Sequence, residues 1–309
     1  MRPILVLLFC LLASACQSAP AVRAAAAESP PAPQAEPPGI RVDIPMDLSS
    51  GRPVIDAVIH GQSVRAIFDT GSQGATIPRS LAEALKLPVI GRALVGSPNG
   101  GQPVEADVVS IDGLEIDGLR LQAGDRRLDA VVLDDAKLPP GRGLVIGNNQ
   151  FPGMTIELDF PAGRFRLSEK NADSAVGWAP LSERGLIETQ LRIGEETMPI
   201  HIDTGNAGVL DLPQRSAARL PLSSAPREGK AIHFVDSSVK TTIADMRTDA
   251  LLGDLPVKLD GAFRFAPVRF ANLGGRGLKG ARLRIDMTRK LWHLSYAQHD
   301  VPVIGEPSS

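Results

Sequence analysis

Cysteine is almost missing from this chain: of 309 residues, only Cys10 and Cys16 are cysteines. Cys10 lies inside the apolar run Ile4 to Leu12. A chain cleaved behind that run keeps a single thiol, which excludes a disulfide framework. Aromatics are scarce too, with one tyrosine (Tyr296) and two tryptophans (Trp178, Trp292). Platforms for stacking bases or sugar rings are therefore poorly supplied. A net charge of -2 and a pI near 6.2 give no electrostatic reason to expect nucleic acid as a partner. The five histidines (60, 201, 233, 293 and 298) show no H-E-x-x-H or other metal-ligand spacing, so no metal is expected. His201 alternates with Ile200 and Ile202 and reads as strand surface or interface. No G-x-S-x-G elbow is present. Gly275 to Gly280 fits G-x-G-x-x-G, but a dinucleotide fingerprint must open a helix, and the ARLRIDM that follows alternates like a strand. No organic cofactor is expected either.

The first sixteen residues read as a targeting segment. Arg2 supplies the charge, Ile4 to Leu12 the apolar run and Ala13-Ser14-Ala15 the small-residue cleavage site. The run is too short to span a bilayer. Cys16 follows at once, so Ala-Ser-Ala-Cys resembles a bacterial lipobox, in which the cysteine is lipidated. Ala-x-Ala also suits plain secretion, but a lone cysteine with no disulfide partner favours lipidation. Gln17, by the family sorting rule, points to the outer membrane. Residues 17–39 are rich in Ala, Pro and Glu without apolar periodicity and are predicted to be a disordered tether. The folded part is then expected on the periplasmic side of the envelope.

From about Gly39 onward the sequence repeats itself. VIGNNQFPGMTIELDFPAGRFRL (145–167) aligns without a gap with NLGGRGLKGARLRIDMTRKLWHL (272–294), a shift of 127 residues. Upstream, AIFDTGSQGATIP around Asp69 answers IHIDTGNAGVLDLP around Asp203, and the two Asp-Thr-Gly triplets lie 134 residues apart. A given tripeptide occurs by chance only ~0.1 times in a chain this long. A repeat of this length is a duplicated lobe. Segments such as TIELDF and RLRIDM alternate apolar and polar residues, and 30 Gly and 26 Pro punctuate them. Short runs such as RSLAEALKL carry the helical signal. The pattern predicts a mostly β chain of two lobes, 40–175 and 176–300, with a tail at 301–309.

Each lobe resembles the retropepsin-like aspartic protease domain of bacteria. The shared pattern is an apolar strand, a Gly turn, an apolar pair leading into Asp-Thr-Gly, a helix near a Pro, a flap-bearing β region, an apolar pair with Gly, and a final strand with an Asp. The likeness covers about 45–167 and 184–296. It implies a pseudo-two-fold bilobal structure of β-barrel type, with Asp69 and Asp203 as catalytic residues. Thr70 and Thr204 would hydrogen-bond across the lobe interface, while Gly71 and Gly205 leave room and supply amide donors to the carboxylates. Ser72 could donate its hydroxyl to a carboxylate. Asn206 departs from the usual small residue, though its amide can still donate. Flap tips are expected near residues 99–101 and 236–238.

Two carboxylates about 3 Å apart cannot both ionise and so share one proton. Such a pair can activate water on one side and polarise a carbonyl on the other. This predicts an aspartic endopeptidase acting on peptides or proteins of the cell envelope, a monomer held to the membrane by its N-terminal lipid. Pairing of lobes between two copies stays open. A rival reading is a silent envelope lipoprotein that binds peptides between the lobes. A glycosidase, which also uses paired carboxylates, is a more distant rival given the few aromatics.

Overall fold

Alternation decides most of the secondary structure. The strand Arg164–Ser168 buries Phe165 and Leu167 and leaves its other side chains half-buried. The strand Leu128–Leu133 likewise buries Leu128 and Ala130 around an exposed Asp129. Two-residue turns join such strands. Val54–Ile59 returns as Gln62–Phe68 through His60 and Gly61, both at positive φ (50° and 76°), as the twist of a tight hairpin requires. The computed structural model describes residues 39–96, 102–121, 128–135, 143–169, 177–233, 238–296 and 301–305, all within one compact unit, Pro37–Ser309. The signal segment with Cys16, the tether up to residue 38, and the flap tips at 99–101 and 236–237 lie outside the described residues.

Three sheets organise the chain. A nine-stranded sheet takes all its strands from residues 54–146, and an eight-stranded sheet takes all of its own from 188–304. The third sheet joins the halves. Its six strands run in the order Ile40–Pro45, Arg164–Ser168, Thr155–Asp159, Ala281–Asp286, Leu291–Tyr296, Ala179–Pro180. Three come from each half, and the central pair is antiparallel, with Glu157 opposite Arg284. Those two positions are equivalent in the repeat (157 and 127 give 284), so a pseudo-two-fold axis passes between them. The protein is a mostly β, bilobal molecule.

Two expectations need adjusting. The run after Pro78 forms a six-residue α-helix, Arg79–Ala84, but the run after Pro213 forms a 3-10 helix, Gln214–Arg219. Pro221 explains the difference. The residue before a proline is driven out of the α region, and Leu220 is extended (φ -97°, ψ 149°). In the first half the next proline is Pro88, which leaves room for a full α-turn. The segment read as a tail also contains structure: Val303–Ile304 runs parallel to Leu255–Ala266, and Ile304 is buried.

The central sheet carries two buried carboxylates at equivalent positions, Asp159 and Asp286. Burial alone pushes the Asp159 carboxyl up. The Ala162 amide and the guanidinium groups of Arg282 and Arg166, at 2.8 and 3.2 Å, outweigh it, and the group titrates below its ordinary 3.8. Asp286 is lowered in the same way, burial being overcome by the Arg289 and Thr288 amides and the Arg289 side chain. A carboxyl lowered by folding contributes stability that is complete above the unfolded value and lost as pH falls through the folded one. The melting temperature should therefore fall steeply as pH drops below about 4. Asp159→Asn should be less stable at neutral pH and should show a shallower acid decline. Melting curves between pH 2 and 7 check this, and parallel curves for the two proteins would contradict it.

Candidate active site

Both Asp-Thr-Gly loops leave the end of a strand whose last apolar residue is locked in the core. Phe68 ends Gln62–Phe68 and packs against Phe165 and Phe151, with ring centroids 5.4 and 5.7 Å away. Asp69 follows, and its amide donates to the Ile146 carbonyl at 2.9 Å. In the second half, Ile202 is fully buried in Glu196–Asp203, which runs parallel to Ala271–Gly274. Each loop joins two strands that flank a third, Leu144–Ile146 in the first half and Ala271–Gly274 in the second, and it cannot slide along the sheet without disturbing a buried side chain.

The two threonines join the loops. The Thr70 hydroxyl donates to the Ile202 carbonyl at 2.7 Å, and the Thr204 hydroxyl to the Phe68 carbonyl at 2.6 Å. Each hydroxyl also accepts the other threonine's amide: Thr204 Oγ1 takes Thr70 N at 3.0 Å and Thr70 Oγ1 takes Thr204 N at 3.1 Å. Both side chains are fully buried, so these four bonds are shielded from water. The cross-lobe bonding expected of Thr70 and Thr204 is present in full.

The glycines let each carboxylate reach the other half's loop. A methyl group added to Gly71 would stand 2.5 Å from Asp203 Oδ1, and one added to Gly205 would overlap the Asp69 carboxylate. Each aspartate therefore lies against the other half's glycine. Each loop also serves its own carboxylate, Gly71 N donating to Asp69 Oδ1 at 2.8 Å and Gly205 N to Asp203 Oδ1 at 3.0 Å. A further bond joins the halves, where Arg52 Nε donates to the Gly205 carbonyl at 2.7 Å. Another does the same, Asn149 Nδ2 of the first half donating to the Arg184 carbonyl at 3.3 Å.

One supporting residue differs from expectation. The Ser72 hydroxyl donates to the Gly74 carbonyl at 2.9 Å instead of to a carboxylate, stiffening its own turn. The Asn206 side-chain amide donates to Asp211 and Asn272, while its backbone amide reaches Asp203 Oδ1 at 3.2 Å. Asn272 then makes the contact that sequence reasoning missed: its Nδ2 donates to Asp203 Oδ2 at 2.7 Å. The signal in the sequence is the repeat itself, in which polar Asn272 aligns with apolar Val145. His201 sits on the same strand two residues before Asp203. Its ring stacks on Phe270 at 3.9 Å, and Nε2 lies 3.3 Å from Glu188 Oε1. Burial pushes its pKa down, against the pull of the Glu188 and Asp203 charges. Among the described residues, no group of three His, Cys, Asp or Glu is placed to hold a metal ion. No helix among them is long and apolar enough to cross a membrane.

Two like loops, interlocked by threonines on a pseudo-two-fold axis with one carboxylate from each, define a paired-aspartate site. A protein-family model described as aspartyl protease matches residues 55–149, the stretch of the first half that contains Asp69. The chain thus carries the signature of an aspartyl protease family across that stretch. No curated protein matches the chain significantly.

Proposed function

We propose that the protein is an aspartic endopeptidase whose catalytic residues are Asp69 and Asp203. The observation that carries this reading is the packing of each carboxylate against the other half's glycine beneath the double threonine lock. Such a pair holds one proton between its members. The ionised member takes a proton from water as the water oxygen bonds to the peptide carbonyl carbon. The carbonyl π pair moves onto its oxygen, which receives the proton of the other carboxyl. In the resulting tetrahedral diol the roles reverse. The carboxylate that gave its proton removes one from a diol hydroxyl, the other carboxyl protonates the amine nitrogen, and the C–N bond breaks to give acid and amine. One water is consumed and the pair returns to its starting charge.

A substrate suited to the site is an extended peptide segment pairing with strand backbone. Among the described residues, Val89–Val95 is an edge strand of the nine-stranded sheet. The test is direct: the full chain is incubated with a diverse peptide library from acid to neutral pH, and the products are sequenced by mass spectrometry. Cleavage within peptides supports the reading. Peptides that bind and stay intact would replace it with the silent binding lipoprotein.

The lipid anchor belongs to the same proposal. Lipidation at Cys16 would hold the lobes off the outer membrane on the tether, within reach of envelope proteins. In cells fed labelled palmitate, the wild-type chain is expected to take up label and Cys16→Ser to take up none. Equal labelling of the two would remove the anchor.

A further inference from the structure

Asp203 ends a strand face whose chemistry differs from that of its counterpart in the first half. On Glu196–Asp203 the side chains of Ile200 and Ile202 enter the core, so His201 and Asp203 share the opposite side. One step of the pleat, roughly 7 Å, separates them. Glu188 lies opposite His201 on the neighbouring strand, with its Oε1 3.3 Å from His201 Nε2. The ring of Phe270 stacks on the imidazole at 3.9 Å and is nearly parallel to it, 17° apart. The side chains of His201 and Glu188 are 16% and 41% exposed, which leaves the carboxylate open and the imidazole held in place.

The strand registers identify the first-half counterparts. Ile67 lies between Val54 and Val145, as His201 lies between Glu188 and Asn272. Ile67 and Val145 are little exposed, yet they stand outside the main apolar cluster, so this face is not a core face. Gly143 takes the place of Phe270. A Cβ there would stand 2.0 Å from the Arg65 carbonyl oxygen, so the first half has no room for a ring. One face thus carries Val, Ile and Gly where the other carries Glu, His and Phe. An extended peptide laid across the pseudo-two-fold axis sets the residues on either side of its central bond in equivalent places on the two halves. One flank therefore meets the Val54–Ile67 face and the other the Glu188–His201 face.

We propose that Glu188 and His201 form a subsite for a basic side chain, lysine or arginine, on one flank of the bond that is cut. The cut bond rests on the peptidase reading; the preference for a basic side chain does not, and binding alone can report it. Glu188 supplies a negative charge and two acceptor oxygens for an ammonium or guanidinium group. Phe270 fixes the imidazole by stacking, and the imidazole lies against the carboxylate. Burial holds His201 below its ordinary 6.5, so at neutral pH it is uncharged and Glu188 sets the sign of the subsite. The other charged groups that act on His201 are Asp203 on its own strand and Arg184 on the turn before Glu188. Arg184 is exposed, where solvent screens it. From the strand on the other side, Asn272 is engaged with Asp203 and Asn206, and beyond it Asp211 is paired with Arg264. Glu188 and His201 choose the substrate and take no part in breaking the bond.

The test compares twin peptides that differ only in lysine against uncharged norleucine. The exchange is made at each flank of a bond cut in the peptide library, or along a bound peptide where nothing is cut. For the full chain, kcat/KM at pH 7 should favour the lysine twin about tenfold at one flank and not at the other. The ratio should shrink as pH falls, since protons on the imidazole and on the carboxyl both make the subsite more positive. Binding of the same twins at pH 7, followed by fluorescence anisotropy, should give the same order. Glu188→Gln should bring the ratio to about one, and Glu188→Lys should favour a glutamate peptide instead. Glu188→Val with His201→Ile, which gives the second half the residues of the first, should favour norleucine. A wild-type ratio of one or less at both flanks, in cleavage and in binding at pH 7, overturns the subsite even if no variant folds. Folded Glu188→Gln and Glu188→Lys variants that keep the wild-type ratio overturn it as well. A chain that cuts no peptide yet binds the lysine twin more tightly keeps the subsite and loses the peptidase. One that cuts and binds both twins alike keeps the peptidase and loses the subsite.

Discussion

Asp203→Asn is expected to lower peptide hydrolysis by at least about a thousandfold, and Asp69→Asn to do the same. The reasoning starts from the shared proton. Asparagine has nearly the shape of aspartate and can still accept the loop amide that Gly205 N or Gly71 N offers. It cannot take a proton from water or pass one to a leaving amine. Either substitution leaves a single carboxyl, which cannot be acid and base at once, so both half-reactions fail. Because the two act as a unit, the double variant should be little worse than either single one. Initial rates on a peptide found by library screening decide the matter, with thermal melts to show that the variants fold. A single variant that retained a tenth of the wild-type rate would mean that the chemistry is done elsewhere.

Thr204→Val should destabilise the folded chain by about 2–4 kcal/mol, one of the largest losses open to a single side chain here. Valine fills the same space, so no cavity accompanies the change. Two hydrogen bonds disappear, one from the hydroxyl to the Phe68 carbonyl and one accepted from the Thr70 amide. Both orphaned backbone groups are shut away from water, and an unmade buried hydrogen bond costs more than a made one contributes. Thr70→Val removes the other two bonds of the lock, to the Ile202 carbonyl and from the Thr204 amide. The sets do not overlap, but the two threonines are bonded to each other in one network, so the double variant should depart from the sum of the two. Thr204→Ser retains the hydroxyl and should stay within about 1 kcal/mol of wild type. Urea denaturation of the four variants beside wild type gives the comparison. A Thr204→Val midpoint equal to that of wild type would show that the lock carries no weight.

Much of this was written in the sequence because duplication makes patterns audible. The two triplets, the apolar pairs before them and the final strands could each be read against a second copy. What stayed hidden falls into two kinds. Some features depend on partners brought close only by the sheet: Asn206 is unusual by residue type, but its partner Asn272 is 66 residues away and reaches it, with Asp211, only through strand pairing. The Ser72 hydroxyl turned to its own loop's carbonyl, a local competition that residue type alone does not decide. Others depend on a neighbour acting at short range. The helical run of the second half looked like that of the first, and Pro221 converted it to the tighter 3-10 form. Val303 and Ile304 looked like a tail because a two-residue strand has no periodicity to read.

The residues facing each other across the central axis decide which halves can pair. Directly opposite positions in an antiparallel pair share one face of the sheet, and like charges there repel. A first half matched with another first half would set Glu157 against Glu157, and a second half matched with its own kind would set Arg284 against Arg284. At that central position only the mixed pairing brings opposite signs together. An ancestor whose halves were identical could have assembled from separate copies, but this chain has given its halves complementary polarity at the seam. Severed from each other, they would favour reunion over self-association.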